Sequence, residues 1–340
     1  MKLPIRLSVL DLSPVPSGST AADALRNTLD LAKLADELGY TRYWLAEHHN
    51  TELVAISAPE VMIGHVAGVT KRIRVGSGGV MLPNHAPLKV AETFRTLEAL
   101  HPNRVDLGIG RAPGTDYLTA LALRRSRAAL ATDDFPEQLN ELLAFFSGDF
   151  SGDHPFQRVM AIPEGVRTPD IWLLGSSDFS ARLAGELGLG FAFAHHINPA
   201  PALAALRLYQ EQFRPSPRFA APQSLLAASV VCAETDEQAN VLARSADLTL
   251  LRFTQGKFRT QLPSVSEATN YPYTSDEEEV VQMNRERLFV GSPATVREQI
   301  FSLAEQAGVT EIMVTTMTHD HKERRRSYTL LAKAFALAPG

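Results

Sequence analysis

The stretch Glu37-Leu38-Gly39-Tyr40-Thr41-Arg42-Tyr43-Trp44-Leu45-Ala46-Glu47-His48-His49 contains the pattern that decides the fold. A helical segment ends at a glycine, an apolar run of strand type follows, and polar side chains come directly after it. A glycine in the left-handed conformation ends a helix, and short helix-to-strand connections are typical of alternating units. Glu186-Leu187-Gly188 and Gln306-Ala307-Gly308 precede two further apolar runs in the same way. The chain is therefore interpreted as a series of β/α units.

Eight apolar runs of strand type alternate with segments of helical periodicity. In the first helical segment, Ala24, Thr28, Leu31, Ala35 and Leu38 form the stripe expected of a helix that packs on a sheet. The runs are Ile5–Leu10, Tyr43–Ala46, Ile73–Leu82, Val105–Ile109, Ile171–Leu174, Phe191–Ala194, Leu225–Ala233 and Ile312–Thr316. This alternation predicts parallel pairing, and a closed (β/α)8 TIM barrel is the most economical arrangement. A doubly wound open sheet is the alternative.

Two segments are longer than ordinary connections, and they follow the fourth and the seventh strand. They are Pro113–Pro169, which includes helical Phe135–Phe146, and Phe253–Gly291. In a barrel both insertions lie on the C-terminal face, where long loops form substrate walls or lids. The alternative for each insertion is a surface loop that has no role in the site. Since no stretch resembles a linker, residues 1–340 are predicted to form a single domain.

The composition excludes several classes of protein. With 45% hydrophobic and 21% charged residues, the chain can bury a large core. Its 33 basic and 38 acidic residues give a net charge of -5, and no basic stripe predicts a nucleic-acid partner. The single cysteine, Cys232, allows no internal disulfide, and no apolar run has the length of a signal peptide or a membrane span. We expect a soluble, cytoplasmic protein that binds small molecules and no membrane.

Glu47, His48 and His49 directly follow the second predicted strand. Alternation along an extended chain sends His48 and His49 to opposite sides, so only one of them faces a pocket. A histidine that faces a cleft can act as a general base or bind a peroxide-like oxygen. A structural histidine pair is the alternative.

The third predicted strand contains Gly76-Ser77-Gly78-Gly79. Because glycines weaken a strand, their presence indicates a bulge, an unusual peptide geometry or a flat ligand against the backbone. A barrel bend filled by neighbouring side chains is the alternative. Gly110, at the end of the fourth strand, would clear space beside a planar ligand.

Arg111 and a pair of serines predict a phosphate site. The glycine-rich segment Gly108–Gly114 lacks the spacing of a dinucleotide fingerprint or a P-loop, but Arg111 can bind phosphate through two hydrogen bonds. Ser176 and Ser177 follow the fifth strand where a helix begins, and a helix N-terminus binds anions. A surface ion pair for Arg111 and ordinary helix caps for the serines are the alternatives.

Histidines also follow the sixth and the eighth predicted strands. They are His195, His196, His319 and His321. A metal-dependent hydrolase built on these side chains is an alternative function, but no HExxH motif occurs and a metal is not expected. No Gly-x-Ser-x-Gly elbow predicts a serine hydrolase.

The chain resembles the bacterial luciferase-like flavin-dependent monooxygenase family, which has a (β/α)8 barrel, over nearly its whole length. The matching segments are 44–49 (WLAEHH), 80–85 (VMLPNH), 104–111 (RVDLGIGR) and 290–293 (VGSP). Several matches in the same order make this resemblance more specific than any single motif.

The resemblance implies roles for individual residues. His48 takes the position of the catalytic histidine, and Gly78 and Gly79 match a pair joined by a non-prolyl cis peptide against which the flavin ring lies. The residues implied to hold the phosphate are Arg111, Ser177 and Ser180, with the backbone of Ser176. Gly110 occupies the position where luciferase has a cysteine, so useful luminescence is not predicted.

The resemblance also implies a reaction. Reduced FMN and O2 form a C4a-hydroperoxyflavin, which oxygenates a small organic substrate such as an aldehyde. The reduced FMN comes from a separate NAD(P)H:flavin reductase, and the protein is a homodimer, as is common among relatives. The segment Phe253–Gly291 is the mobile lid, with Arg285 and Arg287 as candidates for closing it.

Two alternatives share the same barrel. An F420-dependent oxidoreductase transfers hydride without O2, and a non-catalytic flavin-binding protein stores the cofactor.

Overall fold

Strands and helices alternate along residues 5–338, which are the residues that this computed structural model describes. The ten strands in this range are β1 (Arg6–Asp11), β2 (Arg42–Leu45), β3 (Arg74–Ser77), β4 (Val80–Met81), β5 (Val105–Gly110), β6 (Asp170–Gly175), β7 (Gly190–Ala194), β8 (Ser224–Cys232), β9 (Leu288–Gly291) and β10 (Glu311–Thr315).

Thirteen α-helices connect these strands within the same residues. They are α1 (Ala21–Leu38), α2 (Pro59–Val69), α3 (Pro87–Leu100), α4 (Tyr117–Arg124), α5 (Arg127–Ala131), α6 (Phe135–Ser147), α7 (Asp178–Glu186), α8 (Ala202–Gln212), α9 (Asp236–Thr254), α10 (Val265–Thr269), α11 (Ser275–Arg285), α12 (Pro293–Ala307) and α13 (His321–Ala334). None of the helices in residues 5–338 combines the length and the apolar character that a membrane span requires.

Eight of the strands close into a parallel barrel. Neighbours pair in the order β1, β2, β3, β5, β6, β7, β8 and β10, and β10 pairs back with β1. After a break, β4 continues the third barrel strand and pairs with β5, while β9 is added beside β8. The (β/α)8 barrel predicted from the sequence is confirmed, and the open sheet is wrong.

Helix α1 illustrates why the helical segments form and why they pack on the barrel. Thr20 and Asp23 make a capping box at its N-terminus, which satisfies backbone N–H groups that have no partner within the helix. Ala24, Leu31 and Ala35 are buried along one side, so the predicted apolar stripe packs against the sheet. The three glycines predicted to end helices all have positive φ, with 86° at Gly39, 62° at Gly188 and 65° at Gly308.

Side chains along each strand alternate between the helix layer and the barrel lumen. On β2, Tyr43 and Leu45 belong to the large core beneath the helices, whereas Trp44 packs in the lumen against Trp172 of β6. The two indole rings meet edge to face, with 5.6 Å between their centroids. The lumen cluster also contains the small side chains of Ala46, Ala192 and Ala227.

A buried network of charged side chains lies at the N-terminal ends of the strands. Asp106 accepts hydrogen bonds from Arg42 at 2.7 Å, from the indole Nε1 of Trp44 at 2.9 Å, and from Arg74. Arg42 also donates to Glu311 at 2.8 Å. Each buried charge therefore faces an opposite charge, which offsets the cost of removing it from water.

Both long connections contain regular structure. The connection from β5 to β6 carries α4, α5 and α6. The connection from β8 to β10 carries α9, α10, α11, β9 and α12. The second predicted insertion starts inside α9, because Phe253 lies in the last turn of that helix. β9 was not predicted from the sequence, since four residues are too few to show a strand periodicity. The predicted strand Ile73–Leu82 is divided into β3 and β4 at Gly78 and Gly79.

Candidate functional site

The residues predicted to form a site follow four neighbouring barrel strands. His48 comes after β2, Gly78 and Gly79 after β3, Arg111 after β5, and Ser176 and Ser177 after β6. Because all barrel strands are parallel, these residues lie at the same C-terminal end of the barrel, which is the end where active sites of this fold are built.

Glu47 connects two histidines to the backbone after the third barrel strand. Its buried carboxylate lies 2.9 Å from Nε2 of His49 and 3.0 Å from Nε2 of His85, and it accepts a hydrogen bond from the N–H of Met81 at 3.0 Å. Burial alone would favour the neutral acid, but these hydrogen bonds hold the pKa of Glu47 at about 2. Glu47 therefore positions the loop beside His48 as a carboxylate.

Sequence analysis did not predict the role of Glu47 as an acceptor for two histidines. The signal available was that Glu47 and His85 both lie in segments that matched the family. Their contact joins residues 38 positions apart, so periodicity along the chain could not reveal it.

Replacing His85 by glutamine is expected to reduce stability more at about pH 6 than at about pH 8.5. The hydrogen bond to Glu47 raises the pKa of His85 in the folded chain. The stabilisation from the protonated imidazole is complete below the unfolded-state pKa and is lost as the pH rises through the folded-state value. Urea unfolding of both proteins at the two pH values measures the difference.

The control for this prediction is His65→Gln, because His65 lies on the exposed side of α2. Its effect on the free energy of unfolding should stay below about 0.5 kcal/mol. An effect of His85→Gln that is equal at the two pH values, or larger at the higher one, would contradict the role of the Glu47 contact.

The two sequence neighbours of His48, Glu47 and His49, hydrogen-bond to each other and not to His48. His49 reaches the carboxylate of Glu47, while Nδ1 of His48 is buried and has no hydrogen-bond partner in residues 5–338. Burial lowers the pKa of His48, and the nearby His49 lowers it further. His48 is therefore a neutral imidazole at neutral pH, with a ring nitrogen that no protein group satisfies.

The peptide bond between Gly78 and Gly79 is cis, as the family resemblance implied. A Cβ on Gly78 would lie 2.6 Å from Cδ1 of Leu10, and one on Gly79 would lie 2.6 Å from the carbonyl oxygen of Gly108. The backbone of the neighbouring strand β5 therefore requires glycine at position 79, whereas a side chain at position 78 would require Leu10 to move. A contact of this pair with a flat ligand stays a prediction.

The space beside Gly110 is filled by the protein itself. A Cβ at this position would lie 2.7 Å from Cε and 3.0 Å from Sδ of Met81. Gly110 was expected to clear room for a planar ligand, but the thioether of Met81 occupies the room that its missing side chain leaves. A direct contact of Gly110 with a cofactor stays a prediction.

Arg111 lies against the start of α7, where the phosphate site was predicted. Its guanidinium carbon is 4.2 Å from the ring centroid of Phe179, the second residue of that helix. The nearest carboxylate oxygen, on exposed Asp133, is 3.8 Å away, and the Arg111 side chain is 44% exposed. This is the surface ion pair that was the alternative from the sequence, and because it is long and exposed, the guanidinium can still bind an anion.

The serines lie at the N-terminus of the same helix. Ser177 is the N-cap residue, and its side chain makes no capping hydrogen bond. Ser180 is buried, with Cβ and Oγ both 2.5 Å from the position that a Cβ on Gly175 would occupy. The backbone oxygen of Ser176 accepts a hydrogen bond from Asn198 at 3.3 Å. The start of α7 thus combines unused N–H groups and a hydroxyl with a nearby cation, which is the composition of a phosphate site.

The sequence profile of the family described as luciferase-like monooxygenase matches residues 5–311. The chain belongs to this family. A luciferase-like monooxygenase of Escherichia coli strain K12 is 40% identical over 326 residues, which are 96% of each chain. The N-acetyl-S-alkylcysteine monooxygenase of Bacillus subtilis strain 168 is 36% identical over 338 residues, or 98% of this chain and 99% of the relative.

Solved structures extend the comparison. Apo-MsnO8 is 40% identical, covers 100% of both chains and superimposes with a TM-score of 0.90. Two structures share the fold at lower identity: an FMN complex of the oxygenating constituent of 3,6-diketocamphane monooxygenase, at 22% and a TM-score of 0.73, and an F420-dependent secondary alcohol dehydrogenase, at 14% and 0.68. Each match covers 98% of this chain. It covers 98% of the 3,6-diketocamphane monooxygenase chain and 99% of the alcohol dehydrogenase chain.

In this member of the luciferase-like monooxygenase family, two of the histidines considered for a metal site have other partners. His319 lies 3.1 Å from the backbone oxygen of Ser17, and His321 lies 2.7 Å from the carboxylate of Asp30 on α1. Within residues 5–338, no group of three or more histidine, cysteine, aspartate or glutamate side chains could hold a metal ion. The four-histidine cluster of the hydrolase alternative is not assembled.

The two arginines considered for closing the lid have different contacts. Arg285 of α11 binds the carboxylate of Asp247 on α9 through two hydrogen bonds of 2.5 and 2.7 Å, so it fixes a helix of the second insertion to the helix that precedes the insertion. Arg287 donates to the backbone oxygen of Ile197 after β7 at 3.1 Å and to Asn284 at 2.6 Å. Of the two, Arg287 therefore connects the insertion to the C-terminal end of the barrel.

Proposed function

We propose that this luciferase-like enzyme is a monooxygenase that uses reduced FMN and O2 to oxygenate a small organic substrate. The observation that carries the proposal is the contact of Arg111 with Phe179, which brings a cation whose ion pair with Asp133 is long and exposed to the N-terminus of α7. This arrangement lies at the same end of the barrel as His48 and the Gly78–Gly79 peptide. Membership of the family supports the same class of reaction.

The residues present fit FMN. Arg111, the N–H groups at the start of α7 and the hydroxyls of Ser177 and Ser180 would hold the phosphate. The Gly78–Gly79 pair, which has no side chains, would lie against the flavin ring. FMN supplies the electrons that activate O2, and the protein supplies binding, orientation and electrostatics.

His48 would act on the reacting groups as a neutral imidazole. Since Nδ1 has no protein partner and burial lowers the pKa of the ring, the side chain can accept a proton or a hydrogen bond from a ligand at neutral pH. The second insertion would exclude water from the site. A separate NAD(P)H:flavin reductase would deliver reduced FMN, and the proposed homodimer is checked by light scattering of the same sample.

The experiment is an anaerobic titration with reduced FMN and, separately, with reduced F420, followed by addition of labelled O2 and a substrate panel. The panel contains a long-chain aldehyde and an N-acetyl-S-alkylcysteine, the compound class in the name of the relative that is 36% identical. We expect micromolar binding of FMN, weaker binding of F420 and one labelled oxygen atom in a product. Preferential binding of F420, or oxidation of reduced F420 by a substrate of the panel without O2, would instead support the hydride-transfer alternative.

Replacing His48 by alanine is expected to lower product formation by about 100-fold, because a positioned acid or base contributes rate of that order. The affinity for FMN should change by less than about threefold, since the phosphate contacts stay intact. Product analysis and the same titration measure both quantities. An unchanged rate of product formation would remove His48 from the chemistry, and no product from either protein would favour a flavin-storage role.

A further inference from the structure

His196 is held in one orientation by a single carbonyl group. After β7 its backbone N–H donates to the oxygen of Ala227 at 3.0 Å, and its ring Nδ1 lies 3.2 Å from the same oxygen. A carbonyl oxygen can only accept hydrogen bonds, so Nδ1 carries the ring proton. The other ring nitrogen, Nε2, is then an acceptor with a free lone pair.

His196 and His48 follow two strands whose lumen-facing side chains are small. On β7, Ala192 belongs to the lumen cluster, whereas Phe191 and Phe193 pack beneath the helices. On β2, Ala46 belongs to the lumen cluster in the same way. His196 lies in the turn that follows β7, where the N–H of Ile197 donates to the oxygen of Ala194, so its place is read from its neighbours and not from alternation. Its ring contacts Ala227, which belongs to the lumen cluster, and the ring of His48 acts on it electrostatically. Both histidines therefore lie at the C-terminal end of the barrel.

The surroundings keep His196 neutral. Burial, together with the electrostatic effect of His195, His48 and Arg287, lowers the pKa of its ring to about 4, although the contact with Ala227 acts in the opposite direction. At neutral pH the side chain therefore offers an acceptor and not a charge. None of the roles assigned above to the flavin site uses this acceptor.

We infer that His196 is a second substrate-contacting residue, whose Nε2 accepts a hydrogen bond from an O–H or N–H group of the organic substrate. The inference rests on the proposed monooxygenase function and deepens it. It states that the preferred substrates carry a hydrogen-bond donor close to the atom that is oxygenated. His48 and His196 then have separate roles, the first at the reacting atoms and the second in substrate recognition.

The first test observes the His196 ring by NMR in the full chain, labelled with ¹⁵N at histidine. Long-range ¹H–¹⁵N correlation spectra are expected to show His196, assigned by its loss in His196→Asn, as the Nδ1-protonated neutral ring at neutral pH. N-methylacetamide, which has an N–H donor, should shift the Nε2 resonance, and N,N-dimethylacetamide, which lacks the donor, should not. A protonated Nε2, or equal responses to the two amides, would overturn the inference.

The second test separates recognition from packing by kinetics with a substrate identified in the panel above. In His196→Asn the side-chain amide can still donate to the oxygen of Ala227, but it places no acceptor at the position of Nε2. The value of kcat/KM should therefore fall at least about 10-fold, mainly through a higher KM. His196→Gln, which places an amide near the position of Nε2, should recover most of the loss. FMN affinity should stay within about twofold of the original value in both variants.

The matched control is His195→Asn. His195 is one residue away, and its ring contacts Phe289 on β9, with 5.9 Å between the ring centroids, so it has a different neighbour from His196. A similar loss in this variant, or equal losses in the Asn and Gln variants of His196, would show a packing effect and overturn the inference. If FMN does not bind, the proposed function fails, and the amide titration alone still decides the role of His196.

Discussion

Replacing Gly108 by alanine is expected to lower the free energy of unfolding by at least about 3 kcal/mol. A Cβ at this position would overlap the carbonyl oxygen of Ser77 and lie 2.9 Å from Cδ1 of Leu174. Ser77 also bonds both backbone groups of Gly108, donating to its oxygen at 2.8 Å and accepting from its N–H at 2.9 Å. The new methyl group would therefore force β3 and β5 apart and break both bonds. Urea unfolding followed by circular dichroism measures the loss.

The matched control is Gly68→Ala in α2. A Cβ on Gly68 meets no atom within 4 Å, and alanine loses less conformational entropy than glycine when a helix forms. The control should therefore be more stable than the original chain by about 0.5–1 kcal/mol. Opposite signs for the same chemical substitution would identify the strand contact as the cause. A loss below about 1 kcal/mol for Gly108→Ala would contradict the packing described between β3 and β5.

The barrel could be predicted from the sequence because its signals are local. Alternating apolar runs, helical stripes such as Ala24, Leu31 and Ala35, and glycines such as Gly39 each depend on neighbours only a few residues away. A closed ring also removes the two edges that an open sheet of such units would leave, which made the barrel the more economical arrangement. The clustering of His48, Arg111 and the serines at one end follows from parallel pairing alone.

The contacts within the site could not be predicted in this way. The ion pair of Glu47 with His85 and the packing of Arg111 on Phe179 join residues that are distant along the chain. Gly110 illustrates the same limit, because its missing side chain suggested room for a ligand whereas Met81 fills that room. Residue types and strand order therefore indicated which end carries the chemistry, but tertiary packing decided which groups remain free to act.

Replacing Arg111 by alanine is expected to weaken FMN binding by about 100-fold, which corresponds to about 2.7 kcal/mol, and to change riboflavin binding by less than about threefold. FMN and riboflavin differ only in the phosphate, so the ratio of the two effects isolates the anionic group. A charge-assisted hydrogen bond to phosphate contributes free energy of this order. Fluorescence titration of both ligands, with the original and the variant chain, gives the four dissociation constants.

The control for this prediction is Arg207→Ala, which removes an exposed arginine on α8 and so changes the net charge by the same amount. It should leave both affinities within about twofold, because an exposed charge that makes no contact with the ligand is screened by salt. Equal losses of FMN and riboflavin in Arg111→Ala would mean that the side chain supports the ring pocket through Phe179 and does not bind phosphate. Phe179→Leu separates the two effects further, since it removes the aromatic face beneath the guanidinium but keeps the cation. If Arg111 binds phosphate, this variant should weaken FMN by less than Arg111→Ala does, because the charge that recognises the anion is still present and only its orientation is loosened.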